Sequence, residues 1–285
     1  MKSVLLLFTL IVFSFEPTIK TKAINSALSQ QTFQGKAYYI SKSKMELGNW
    51  GARLSAEQKK DVEARMKNRL EKTYILVFDK EASVFEEDEK LDAISGATDS
   101  WGKNFAPGEQ YKNVKTNNQI QSQEFYGKRF LVKDKLQPID WIMGQETKQI
   151  GSYTCFKATA SIPTDELTWY AFSWDKLRTN ENTSESSTNE STEEAVNMTE
   201  VEAWYTPQIP VGHGPSEFWG LPGLILEVSA GNTVMLCSKI VINPEDKLEI
   251  EAPEKGAVVT KMEYQEIITT KMKEFRDNRS GRARG

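Results

Sequence analysis

Hydrophobic and polar residues alternate along much of this chain, and a period of two predicts β-strands. The runs that we predict as strands are Phe33–Ser41, Tyr74–Asp79, Ala82–Glu86, Gln123–Val132, Tyr153–Ala160, Leu167–Trp174, Val201–Tyr205, Leu224–Val228 and Thr233–Ile242. Lys80-Glu81 and Gly231-Asn232 are short enough to be hairpin turns between neighbouring runs. Short turns favour antiparallel pairing, and the sequence lacks the strand–helix alternation of a doubly wound fold.

Two segments have the three-to-four-residue hydrophobic spacing of amphipathic helices. Ser55–Glu71 opens with a capping box formed by Ser55 and Gln58, and Lys261–Arg276 carries an apolar stripe, which consists of Tyr264, Ile268, Met272 and Phe275. Together with the strands, these segments predict an α+β fold that is mainly β. We expect a curved antiparallel sheet, open like a half-barrel, with two amphipathic helices.

The first residues have the layout of a secretory signal peptide. A basic start at Lys2 is followed by an apolar run over Val4–Phe15, which is shorter than the roughly 20 residues that a membrane-spanning helix needs. We predict cleavage after Ala23, with Ala27 as the second choice, so that residues 1–23 are the signal peptide. The alternative is that this run is a hydrophobic strand of the mature fold.

The remainder, residues 24–285, is predicted to be a single domain with one insertion. Residues 180–202 hold seven Glu, no Lys or Arg, and many Ser, Thr and Asn. Such a segment buries too little apolar surface to offset its ordering entropy, so we expect a disordered acidic loop. A solvated insertion and an acidic loop that binds cations are both consistent with this composition.

Composition excludes several classes of protein. The chain has 285 residues, 39% of them hydrophobic and 27% charged, with a formal net charge of −4. These values are typical of a globular protein with a real core and argue against a dedicated nucleic-acid binder. A single histidine excludes His-rich metal sites, and we expect no metal and no cofactor. After removal of the signal peptide, the protein is expected to be periplasmic or secreted, with at most peripheral membrane contact.

The two cysteines, Cys155 and Cys237, lie in predicted strands. Export to an oxidising compartment would allow a disulfide between them. The alternative is that both are free, buried thiols that pack as small apolar side chains.

The segment from Trp204 to Val228 is unusually rich in proline, glycine and aromatic residues. Its backbone is therefore closely specified, and Leu221-Pro222-Gly223-Leu224 has the residue pattern of a type II turn. The aromatic residues that we predict as candidates for binding an apolar, peptide or protein partner are Trp204, Tyr205, Phe218 and Trp219. The alternative is that they form a hydrophobic plug at one end of the sheet.

Part of this segment resembles the signature of the GLPGLI family, exported proteins of Bacteroidota-type bacteria without an established activity. The motif itself is Gly220-Leu221-Pro222-Gly223-Leu224-Ile225. Ala203–Pro210 and the stretch Thr147–Ala158 resemble the family's segments upstream of it. The resemblance implies an exported envelope protein and does not imply catalytic residues.

Two hypotheses for function follow. In the first, the protein is a non-catalytic binding or structural module of the envelope that holds a protein, a peptide or a lipid-like ligand near the outer membrane. In the second, it is a hydrolase in which His213, expected to be exposed between Gly212 and Gly214, acts with a carboxylate or with Ser216. The sequence lacks a Gly-x-Ser-x-Gly nucleophile elbow, which favours the first hypothesis.

Overall fold

The computed structural model describes residues 33–44, 52–88, 106–174 and 196–282. The predicted signal peptide and residues 180–195 of the predicted insertion lie outside these ranges. The strands are β1 (Gly35–Ser43), β2 (Glu71–Phe78), β3 (Ala82–Glu87), β4 (Gln110–Asn113), β5 (Asn118–Phe125), β6 (Lys128–Asp134), β7 (Ile142–Ile150), β8 (Tyr153–Pro163), β9 (Met198–Thr206), β10 (Leu224–Ala230), β11 (Thr233–Ile242) and β12 (Ala257–Val259). The helices are α1 (Ala56–Leu70), the single turn α2 (Thr164–Leu167) and α3 (Lys261–Arg282).

The twelve strands form one open sheet in the order β12-β6-β5-β4-β3-β2-β1-β11-β10-β9-β8-β7. Neighbouring strands are antiparallel except β12 and β6, which are parallel. The prediction of a mainly β fold is therefore confirmed. None of the helices in the described ranges is long and apolar enough to cross a membrane.

Two predicted hairpins are confirmed. Between β2 and β3, the Asp79 carboxylate accepts hydrogen bonds from the backbone N–H groups of Glu81 and Ala82, at 2.7 Å each. Between β10 and β11, Ala230 pairs with Thr233 across a two-residue turn in which Gly231 has φ 55°. In both places the turn residues supply what the tight connection needs, a local acceptor or a left-handed backbone.

Two of the predicted strands are wrong. Gln123–Val132 is not one strand, because Tyr126 and Gly127 have φ values of 48° and 75° and turn the chain from β5 into β6. Leu167–Trp174 is not a strand: Leu167 is the last residue of the helical turn α2, and further turns follow it. Its aromatic residues pack instead around the helix α3, where the Trp169 and Tyr264 rings meet edge to face with centroids 5.9 Å apart.

The predicted insertion is also too long at its C-terminal end. Residues 198–202 belong to β9, where Met198 pairs with Pro163 and Val201 with Ala160 of β8. Val201 is buried in the core, so the acidic composition of this stretch does not prevent it from joining the sheet.

Both predicted helices are present. At the start of α1, the Ser55 hydroxyl accepts from the Gln58 N–H at 3.2 Å, and the Gln58 side chain accepts from the Ser55 N–H at 2.8 Å. This is the capping box expected from the sequence. In α3, the buried members of the predicted stripe are Tyr264, Ile268 and Met272, whereas Phe275 is exposed.

The buried apolar residues form three clusters. The first joins β1 and β2 to β8, β9, β10 and β11, and the second joins β8, β9 and β10 to the β9–β10 connection. The third lies between β5, β6 and α3 and includes Trp169. Both Cys155 and Cys237 are buried in the first cluster as free thiols, so the disulfide that the sequence allows is not formed. Burial raises the pKa of Cys155 to about 11 and that of Cys237 to about 12.

Candidate functional site

The candidate site is the connection between β9 and β10, residues 207–223, together with the polar side chains beneath it. Backbone hydrogen bonds join the first half of this connection to the start of β10. Leu224 N–H donates to the Ile209 carbonyl at 2.9 Å, and Ile225 N–H donates to the His213 carbonyl at 3.1 Å. The connection therefore follows β10 closely.

The GLPGLI-like motif has a different backbone from the predicted type II turn. That turn needs a positive φ at Gly223, but within the motif it is Gly220 that has one, at 91°. Gly223 serves another purpose: a Cβ there would come within 2.2 Å of the Thr206 carbonyl oxygen. Glycine is needed because β9 and the start of β10 approach each other too closely for a side chain.

Three of the four predicted binding aromatics are in the core. Trp204 belongs to the first apolar cluster, and its indole N–H donates to Glu202 at 2.9 Å. The Lys148 ammonium lies 4.3 Å from the centre of its ring. Tyr205 and Phe218 belong to the second cluster. In these positions the three rings support the sheet and expose little surface to a partner.

Trp219, the fourth, is half-buried and fixes the segment that leads into β7. Its indole N–H donates to the Gln137 carbonyl at 2.8 Å. In return, the indole N–H of Trp141 donates to the Trp219 carbonyl, also at 2.8 Å. The two tryptophans therefore connect the GLPGLI-like motif to the start of the outermost strand.

Lys112 on β4 is a fully buried lysine that the sequence reasoning missed. Its ammonium donates to the carbonyl oxygens of Gly214, at 2.8 Å, of Ser216 and of Phe218, at 3.2 Å. Three acceptors match the three protons of an ammonium group. Burial lowers the pKa of Lys112 to about 7, although the charge of Glu217 opposes this shift.

Glu217 is the second buried charge, and it collects four donors. One carboxylate oxygen accepts from the side chains of Gln110, Gln119 and Trp169, at 2.8, 3.1 and 3.1 Å. The other lies 3.4 Å from the Lys261 ammonium at the start of α3. A buried carboxylate needs such partners to offset its desolvation. Glu217 thereby joins the β9–β10 connection to β4, β5 and α3.

A small pocket lies beside this carboxylate, with a free volume of about 10 Å³, roughly the space of one water molecule. Its wall includes Gln110, Ser216 and Glu217 on one side and exposed acidic residues of β3 on the other. The side-chain oxygen of Gln110, which is part of this wall, is buried without a hydrogen-bond partner. The pocket thus offers hydrogen-bond acceptors, but its size limits an occupant to a water molecule or an equally small donor.

His213 lies in a different place from the one expected. It is completely buried, and its ring packs 6.3 Å from that of Phe78. Neither ring nitrogen is hydrogen-bonded to a Ser, Cys or carboxylate side chain among the described residues. Burial lowers the pKa of His213 to about 4, Lys112 acts in the same direction, and Asp79 opposes them. This arrangement does not supply the nucleophile and base that a hydrolase needs.

The described residues contain no group of three or more His, Cys, Asp or Glu side chains arranged to hold a metal ion.

The buried polar side chains around Glu217, here called the polar cluster, correspond to a regular pattern in the sequence. Gln119, Gln121 and Gln123 alternate along β5, and Gln110 and Lys112 alternate along β4. All five are buried, so the period of two was present but was carried by polar residues.

Residues 141–227 match the model of one protein family, described as a protein of unknown function (Porph_ging). The matched region begins at Trp141 and includes β7, β8, β9, the β9–β10 connection and the first part of β10. A comparison with curated proteins finds no match.

Among solved structures, two of PNGF-II, in space groups C2 and P21, are similar to this chain with TM-scores of 0.48 and 0.46. Sequence identity is 14% and 15%. Each alignment covers 83% of this chain but only 32% and 33% of those chains. This chain therefore spans about a third of the length of the PNGF-II structures that it matches.

Proposed function

We propose that this protein is a non-catalytic binding module of the cell envelope that accepts an extended peptide or protein segment at the open edge strand β7. We include in this proposal its export to the periplasm or beyond, and its membership of the GLPGLI family. The observation that supports binding at this edge is the nine-residue strand β7, which ends the sheet and is largely exposed.

The backbone of β7 has unused hydrogen-bonding groups that face away from β8. Ile150 and Tyr153 flank the two-residue turn at Gly151 and Ser152. Residues that flank a two-residue turn exchange backbone hydrogen bonds with each other, and along an antiparallel pair every second residue of each strand does so. In β7 these residues are Ile150 and Lys148, which bond to β8. The N–H and C=O groups of Thr147 and Gln149, which lie between and beside them, therefore point away from β8. An added strand would pair with them.

The side chains near this edge suit an extended partner. Ile142 and Met143 at the start of β7 are 72% and 57% exposed, which provides apolar contact beside the backbone groups. The irregular register of β7 is confined to the stretch between Met143 and Thr147, and Thr147–Ile150 pairs regularly. The hydrogen bonds from Trp141 to the Trp219 carbonyl and from Trp219 to the Gln137 carbonyl fix the segment that leads into β7, which lowers the entropy lost on binding.

We also propose that the sheet is bowed like a half-barrel. Four strands separate β4 from β10 in the sheet, and at about 4.8 Å between neighbours a flat sheet would place them about 24 Å apart. Lys112 of β4 nevertheless contacts the carbonyl of Phe218, six residues before β10. A sheet that curves around the β9–β10 connection explains this contact, and the buried stripe of α3 supports an amphipathic helix packed on it.

The experiment is capture from envelope extracts with the purified mature protein and with the variant Thr147→Pro. Proline removes the outward N–H of Thr147 but leaves the bonds between β7 and β8 in place. A partner bound by strand addition would then keep one backbone carbonyl without a hydrogen bond. Once the captured partner is identified, we expect calorimetry to show that its affinity for Thr147→Pro is about tenfold or more lower than for the unchanged protein.

The control is Thr147→Val, which changes the same exposed side chain and keeps the backbone donor. We expect it to bind like the unchanged protein, and both variants to retain the thermal midpoint of unfolding within a few degrees. Equal affinity of the proline and valine variants for the captured partner would refute strand addition at β7. Turnover of a captured peptide that His213→Leu abolishes would refute the non-catalytic assignment.

A further inference from the structure

The turn between β5 and β6 holds an aromatic residue where the backbone disfavours one. Tyr126 and Gly127 have φ values of 48° and 75°, both left-handed. Turns of this kind strongly prefer Asn or Asp in the first position, since a bulky side chain there is strained. The other left-handed non-glycine residues in the described ranges are Asn117, Ser216 and Asn243, which are small and polar. Strain of this kind is retained where the side chain has a use.

Tyr126 forms an exposed aromatic pair with the helix α3. Its ring lies 4.9 Å from that of Phe275, centre to centre, and 4.9 Å from that of Phe125. Phe125 is buried, but Tyr126 and Phe275 are 45% and 43% exposed. The pair therefore presents an amphipathic ring and an apolar ring side by side at the surface.

Basic residues lie beside this pair on both elements. Lys128, two residues after Tyr126, is exposed and lies on the face of β6 that packs against α3, because Phe130 and Val132 share that face. Arg129 is exposed on the opposite face, and Arg279 lies one turn after Phe275 on the same side of α3. Residues 124–129 and 271–279 contain six basic and three acidic residues, and two of the acidic ones are in ion pairs, Lys271–Glu274 and Arg276–Asp277. The whole chain has a formal charge of −4, so these two segments carry a net positive charge on an acidic protein.

We propose that Tyr126, Phe275 and the basic residues around them form a docking surface for an anionic lipid bilayer. Aromatic side chains enter the headgroup layer, and lysine and arginine near it are attracted to anionic lipids. The exposed pair is small, so the bound state is peripheral and sensitive to salt. This surface lies on β6 and α3, at the opposite end of the strand order from β7, and does not depend on the proposed peptide binding.

The test is sedimentation of the purified full chain with vesicles of phosphatidylcholine alone and of phosphatidylcholine mixed with phosphatidylglycerol. We expect binding only to the anionic vesicles, and its loss at about 1 M salt, where the Debye length falls to about 3 Å. The variant Lys128→Gln/Arg279→Gln should bind roughly thirtyfold more weakly, since each charge near the surface contributes about fivefold.

The variant Tyr126→Asn separates binding from folding. Asparagine suits the left-handed turn, so the thermal midpoint should be unchanged or higher, whereas vesicle binding should fall. The matched control is Lys36→Gln/Lys239→Gln, which removes two lysines that both lie 5.4 Å from the ring of Tyr38, elsewhere on the sheet. An equal loss of vesicle binding in this control and in Lys128→Gln/Arg279→Gln would indicate non-specific attraction and overturn the proposal.

Two further outcomes would also overturn it. One is the absence of vesicle binding at low salt. The other is a lower thermal midpoint of Tyr126→Asn together with unchanged vesicle binding, because Tyr126 would then serve only to hold α3 against β5. Capture of a soluble anionic polymer such as heparin in preference to the vesicles would assign the surface to a polyanion instead of a membrane.

Discussion

At the scale of single residues, the interior of this protein contains polar side chains that serve the fold in different ways. Lys112 and Glu217 are surrounded by partners, whereas His213 is buried with no side-chain hydrogen bond to either ring nitrogen. A buried histidine costs stability when it must remain neutral while the unfolded chain binds a proton. His213 is therefore a weak point of the fold at acid pH.

We predict that His213 makes the free energy of unfolding depend on pH. Its pKa is about 4 in the folded protein against 6.5 in an unperturbed chain. Between these values the unfolded state binds the extra proton, so the free energy of unfolding falls as the pH is lowered from 6.5 to 4, by about 3 kcal/mol. Urea unfolding measured between pH 6.5 and pH 4 should show a smaller decrease in the free energy of unfolding for His213→Leu than for the unchanged protein. Equal decreases in the two proteins would contradict the prediction.

The residues of the polar cluster show where sequence reasoning reaches its limit. Alternation predicts a strand when one set of residues is apolar, and β4 and β5 direct glutamines and a lysine inward instead. Their burial depends on Glu217, which is about a hundred residues away in the chain and is brought near only by the fold. Local patterns cannot reveal such a long-range pairing.

At the scale of elements, the β9–β10 connection is shaped by close contact with its flanking strands. Gly223→Ala would place a methyl group within 2.2 Å of the Thr206 carbonyl oxygen, and backbone cannot move aside as a side chain can. We expect the free energy of unfolding to drop by at least about 2 kcal/mol, measured by urea unfolding.

Gly212→Ala in the same connection is the matched comparison, because its added methyl would meet nothing closer than the Leu221 carbonyl oxygen at 3.6 Å. It should change stability by less than about 1 kcal/mol, since Gly212 does not have a positive φ. A similar loss for both variants would contradict the view that close approach requires Gly223.

The elements that the sequence predicted well are those with local causes. The capping box at Ser55 and the turn at Gly231 depend on residues a few positions apart, and both formed as predicted. The failures have long-range causes. Tyr126 gave no turn signal because its residue type disfavours the turn, and Trp169 was predicted in a strand because its burial against Tyr264 is not visible locally.

At the scale of the whole molecule, Lys112 links distant parts of the sheet. It lies on β4, but its ammonium group donates hydrogen bonds to three carbonyl oxygens of the connection between β9 and β10. Lys112→Met would leave those carbonyls unpaired, and a buried unpaired group costs about 1–3 kcal/mol. We expect the free energy of unfolding to fall by at least about 3 kcal/mol, measured by chemical denaturation.

Lys115→Met is the control for this prediction. Lys115 follows β4 closely, and its ion pair with Glu81 at 2.6 Å is exposed. An exposed pair contributes about 0–1 kcal/mol, so this variant should remain close to the unchanged protein. Equal losses from the two lysine variants would contradict the role of Lys112 as a link across the sheet.

The two ends of the sheet differ in a way that limits assembly. Strand-by-strand growth into a filament requires each subunit to offer a free border on both sides. Here the border opposite β7 is β12, which lies along β6 for only three residues, Ala257–Val259, and so offers a much shorter edge than the nine residues of β7. Strand pairing at β7 therefore has no equal counterpart at the other border, and a second copy is expected to pair through its own β7 in preference to extending a filament.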